Sequence, residues 1–87
     1  MHEHSLMADL FRQLEKISDA HDGGRIVAVR IRLGALSHIT PEHLAEHFEE
    51  SAKRTRTEGA KLEVTVSQDP ADPNAQEIML ESVEIAS

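Results

Sequence analysis

Residues 25–33, Arg-Ile-Val-Ala-Val-Arg-Ile-Arg-Leu, alternate in polarity, and no other stretch of the chain constrains the fold as much. Val27, Val29, Ile31 and Leu33 fall on one side and Ala28, Arg30 and Arg32 on the other, which predicts a strand with one buried face. Such a face must be covered by another layer, and both flanks offer a helix. Upstream, Leu6, Met7, Leu10, Phe11, Leu14 and Ile17 form one stripe of an amphipathic helix ending near Ala20, with Ser5 as its expected N-cap. His21-Asp22-Gly23-Gly24 then stops it. Downstream, Gly34 to Ile39 is a connector, and Thr40-Pro41-Glu42 reads as N-cap, first-turn proline and early acidic residue. That second helix is expected to reach about Arg54 with Leu44, Phe48 and Ala52 on its apolar side.

Beyond the turn at Glu58-Gly59, Leu62, Val64 and Val66 alternate with Lys61, Glu63 and Thr65 in a second strand. Gln68 to Asn74 holds two prolines and disfavours helix and strand alike, and a last strand covers about Glu77 to Ile85. The fold class is therefore α+β: two helices packed on one face of a small three-stranded mixed sheet, in the order α-β-α-β-β. A helical crossover makes the first two strands parallel and right-handed. The last two are expected to pair antiparallel across the proline-containing connection. Residues 1–87 make a single domain.

So short a chain buries only about 60% of its unfolded surface. Phe11 and Phe48 are its only aromatic residues, so Leu, Ile, Val, Ala and Met must supply the core. A homo-oligomeric contact would supplement it. Sixteen acidic against nine basic residues, a formal charge of −7, argue against nucleic acid, whose backbone needs clustered Lys and Arg. The absence of cysteine excludes disulfides, thiolate zinc sites and a cysteine nucleophile. No apolar run approaches the roughly 18–20 residues that span a bilayer, and no signal-peptide layout opens the chain. A cytoplasmic location is the expectation.

The chain opens Met-His-Glu-His-Ser-Leu. The Met1 amine, the His2 backbone nitrogen and His2 Nδ1 can close a five- and a six-membered ring around one ion. The peptide nitrogen must lose its proton, which suits Ni(II) or Cu(II) in planar nitrogen coordination, and Glu3 can fill a further position. Histidine at the second position disfavours removal of the initiator Met. By spacing alone the competing description, a solvated polar end, is the stronger. His43 and His47, four apart on the second helix, share a helical face. They read better as a solvent face, with His47 leaning toward Leu44 and Phe48, than as a second metal site. Ser37-His38 is adjacency rather than a triad, and Gly23-Gly24 opens a strand rather than a phosphate-binding helix. No enzymatic constellation emerges.

Four segments together, MHEHSL, RIVAVRIRLGALSHITPEHL, TEGAKLEV and ESVEI, resemble the HypA/HybF family of nickel-incorporation proteins for [NiFe] hydrogenase maturation. The resemblance implies a nickel metallochaperone-like protein whose metal residues are Met1, His2 and Glu3. Its implied partners are the maturation GTPase HypB, a hydrogenase large-subunit precursor, or both. The family's zinc-ribbon, with two CxxC pairs, falls where this chain has only the short turn 69–74, so Ni(II) but no zinc is expected. The family's aromatic-small-aromatic helix segment is Glu46-His47-Phe48 here. An interaction module that keeps the fold without delivering metal is the alternative reading.

Overall fold

The computed structural model describes residues 3–37, 39–71, 73 and 77–86. In chain order the elements are α1 (Glu3–Ala20), β1 (Ile26–Leu33), α2 (Pro41–Ala52), β2 (Lys61–Val66) and β3 (Ile78–Ile85). The expected order of two helices and three strands is observed, and the sheet is mixed.

α1 buries Met7, Leu10 and Leu14, the middle of the stripe that its periodicity marks. It begins at Glu3, not after a cap at Ser5, so Ser5 lies inside the first turn. The apolar stripe fixes a helix's body, while its first turn depends on local groups and frays or extends by a residue or two. At the other end the Ser18 carbonyl accepts from the backbone N–H groups of His21 (3.0 Å) and Gly23 (2.8 Å). Asp22 and Gly23 take positive φ values of 58° and 71° to close that turn. The buried Ser18 hydroxyl donates to the Gly24 carbonyl at 2.7 Å, so the polar group costs no unsatisfied donor.

β1 is the central strand. Its register is parallel to β2, from Ala28 opposite Lys61 to Leu33 opposite Val66, as the crossover through α2 requires. The strand order is β2-β1-β3, which corrects the expected pairing of the last two strands. β3 runs antiparallel to β1, from Ile26 opposite Ile85 to Leu33 opposite Ile78. The connector from 67 to 77 passes the C-terminal end of β1: Ser67 N donates to Leu33 O at 2.8 Å, and Gly34 N donates to Glu77 O at 2.9 Å. Crossing one strand means spanning about 10 Å, twice the inter-strand spacing, which a tight hairpin turn cannot do. Placing β1 centrally lets the most apolar strand satisfy both backbone edges.

The pleat of β1 also departs from simple alternation. Ile26 is 1% exposed while Val27 is 41% exposed, contrary to the inward position expected for Val27. Ile26 and Ala28 face the adjacent β3 residues Ile85 and Glu84, so Val27 is the extra residue of a β-bulge. From Val29 onward the expected phase holds, with Val29, Ile31 and Leu33 buried.

α2 is capped as its sequence indicates. Thr40 Oγ1 accepts from His43 N at 3.1 Å and Pro41 occupies the first turn, while Leu44, Phe48 and Ala52 face the core. The helix ends at Ala52, and Arg54 turns the chain with a φ of 68°. Phe11 and Phe48 meet with ring centroids 5.2 Å apart. Both helices and the inner face of the sheet share one apolar core.

Candidate metal-binding site

The helices run side by side in the same direction. Phe11 of α1 meets Phe48 of α2. Further along both, Arg56 reaches Asp19 at 2.6 Å and Glu15 at 3.8 Å. The hydrogen bond and charge of Asp19, with a smaller contribution from Glu15, raise the pKa of Arg56 above its ordinary value. This cluster marks one end of the domain; the starts of α1 and α2 mark the other. At 1.5 Å per residue, Glu3 lies about 12 Å above the phenylalanine pair and Pro41 about 10 Å above it, so the two helices begin at nearly the same level. The C-terminal end of β1 lies there too, with Ser67 and Glu77 bonded to it.

Met1 and His2 lie outside the described residues, and Glu3 opens α1. The first four N–H groups of an α-helix have no carbonyl four residues back. An ion that displaces an amide proton at this point breaks no helical hydrogen bond. The helix start carries partial positive charge, which disfavours a bare cation but favours the Glu3 carboxylate and an ionised peptide nitrogen.

The histidine pair of α2 is more defined than its spacing implied. His43 is exposed and His47 half-buried, so His47 leans toward the apolar side as expected. Their Nε2 atoms lie 3.0 Å apart, with ring centroids at 4.6 Å and planes tilted by 32°. His4 belongs to the first turn of α1 and so to this same end, whereas His38 lies outside the described residues. His21 stands at the opposite end, its Nδ1 on the Ile17 carbonyl at 2.9 Å. Among the described residues no group of three or more His, Asp or Glu converges in a way that would hold an ion. Sequence spacing put His43 and His47 on one face but carried no sign that their nitrogens meet, or that the starts of the two helices coincide.

Two parallel helices over a mixed sheet, with a histidine pair meeting on the first two turns of α2, define a small α+β domain. Over residues 1–72 the chain matches the family described as "Hydrogenase/urease nickel incorporation, metallochaperone, hypA", and it belongs to that HypA family. It is 36% identical over 66 residues to the hydrogenase maturation factor HypA of Archaeoglobus fulgidus, covering 76% of this chain and 60% of that one. To the Nitrosospira multiformis HypA it is 30% identical over 82 residues, covering 94% of this chain and 70% of that one. The chain spans about 60% of the length of the curated relatives it matches first. Among solved structures, that of the Ni metallochaperone HypA from Helicobacter pylori superposes with a TM-score of 0.79 at 17% identity, covering 98% of this chain and 97% of that one. That likeness establishes a shared fold. No described helix is long and apolar enough to cross a membrane.

Proposed function

We propose that this chain is a nickel-binding accessory protein that holds Ni(II) at Met1, His2 and Glu3 during maturation of a [NiFe] hydrogenase or another nickel enzyme. The observation that carries the reading is the family match from the first residue, joined to a helix that starts at Glu3. Met1 contributes its amine, His2 its backbone nitrogen and Nδ1, and Glu3 a carboxylate or backbone nitrogen. The protein acts as a carrier rather than an enzyme, in the cytoplasm. A HypB-like GTPase and a hydrogenase large-subunit precursor are the partners that the family's role suggests.

The family match ends at residue 72, inside the connector before β3, and the chain holds no cysteine. Within residues 1–87 no cysteine is available to build a zinc-ribbon, so no thiolate zinc role operates here.

Extending the chain by Gly-Ser before Met1 tests the site. Every side chain remains, but the amine moves away. Ni(II) affinity should fall at least tenfold, about 1.4 kcal/mol, with unchanged helical circular dichroism. His2→Ala should do the same. Binding to the unextended chain should strengthen with rising pH, because ammonium and peptide protons are displaced. Isothermal titration showing equal affinity in extended and unextended chains would make the terminus a polar end. The non-delivering interaction module would then be the better description.

A further inference from the structure

We propose that His43 and His47 form a second metal site, a two-imidazole chelate on α2 that takes a divalent transition cation of the Ni(II) or Cu(II) type. The geometry carries it. Metal–imidazole bonds of about 2.0–2.1 Å put two cis nitrogens about 2.9 Å apart at a right angle and about 3.4 Å apart at a tetrahedral angle. The two Nε2 atoms stand 3.0 Å apart. That is close to the edge of a square-planar or octahedral ion, the geometries Ni(II) and Cu(II) adopt with nitrogen ligands. An ion would take the place of the hydrogen that one ring shares with the other, and the ring giving it up would carry its proton on Nδ1 instead. Metal ligation uses imidazole in its neutral form.

The local field supports a cation. α2 holds Glu42, Glu46, Glu49 and Glu50 and no basic residue; Lys53, just beyond it, is engaged with Glu50 at 3.0 Å. The positive start of α2 opposes an ion near His43, and these carboxylates offset it. Glu46 follows His43 by three positions and so neighbours it on the helix surface. The two rings supply two of the ion's ligand positions.

The site draws on no group of the chain terminus: both of its ligands stand on α2, His43 about 7 Å and His47 about 1.5 Å above the level of Phe48 along the helix axis. A second ion position of this kind would let one chain hold a second equivalent of cargo.

Four proteins titrated with Ni(II) decide the matter: the native chain, the Gly-Ser-extended chain, His43→Gln/His47→Gln, and the extended double variant. The extended chain should still take up one equivalent, and the double substitution should weaken that equivalent at least tenfold. Two further proteins, the extended chain with His43→Gln or His47→Gln alone, should each lose as much as the extended double variant, because a chelate needs both rings. Ni(II) should also raise the melting temperature of the extended chain only while both histidines are present. An extended chain that binds no Ni(II), or binds it equally with and without the histidines, overturns the proposal. If the extended chain instead matches the native one and the double variant alone fails, the α2 site stands and the terminal site falls.

Discussion

The contact between Phe11 and Phe48 sets the alignment of the two helices, and its energy can be measured. The rings meet at 5.2 Å with a tilt of 40°. Phe48 is 3% exposed and Phe11 half-buried. Truncating a buried phenylalanine to alanine costs about 3–5 kcal/mol, against a total of about 4–13 kcal/mol expected of an 87-residue chain. Phe48→Ala would therefore consume much of the stability, and leucine is the better probe because it keeps most of the apolar volume. A tilted aromatic pair contributes about 0.5–1.5 kcal/mol beyond its buried area. In a cycle of Phe11→Leu, Phe48→Leu and the double variant, that amount is the expected coupling. Followed by urea unfolding, with a slope of about 1 kcal/mol/M for so short a chain, it becomes a non-additivity of about 0.5–1.5 M in the midpoints. The slope should stay constant across the four proteins. Additivity within about 0.3 kcal/mol would show that the rings are only neighbours, with the aliphatic core setting the alignment.

At the opposite end, Gly24→Ala should destabilise by about 1–3 kcal/mol, because the new Cβ would lie 2.6 Å from Ile85 Cγ2 and 3.2 Å from the His21 carbonyl; thermal unfolding reads this as a fall of about 4–8 °C per kcal/mol. An unchanged melting temperature would mean that the end of β3 yields freely. Elemental analysis of the dialysed protein should find no stoichiometric zinc, since no cysteine is available to close a structural site; a zinc whose chelation unfolds the chain would refute that.

Local chemistry made most of the elements legible. Thr40-Pro41 announced the start of α2, and the cap bond to His43 N at 3.1 Å is the physical content of that signal. Leu44, Phe48 and Ala52 face the core because the 3.6-residue period leaves them no other side. Non-local facts were not legible. Whether β3 would lie beside β2 or across β1 depends on the span of the connector and on the edge bonds of β1, and neither is written in alternation. The bulge at Val27 shifts the pleat by one residue, so Ile26 rather than Val27 turns inward, and only pairing with β3 reveals it. The same holds for the histidines. Position four apart gives a shared face, whereas a 3.0 Å approach depends on both ring torsions.

The distribution of these parts bears on how the proposed nickel carrier would give up its ion. None of the residues in the buried cluster, from Met7 to Phe48, is a metal ligand in either proposed site. The Arg56 contacts with Asp19 and Glu15 hold the far end. On the proposed assignment stability and ion binding would be separated in space, unlike a zinc finger, where metal affinity is folding free energy. An ion can leave the start of the helices without a core rearrangement opposing its departure. Of the groups proposed to hold it, His43 is exposed to a partner's competing ligands. A nickel affinity that stayed constant while Gly24→Ala lowered the melting temperature would express that separation directly; affinity that fell in step with stability would mean the ion is bound by the fold as a whole.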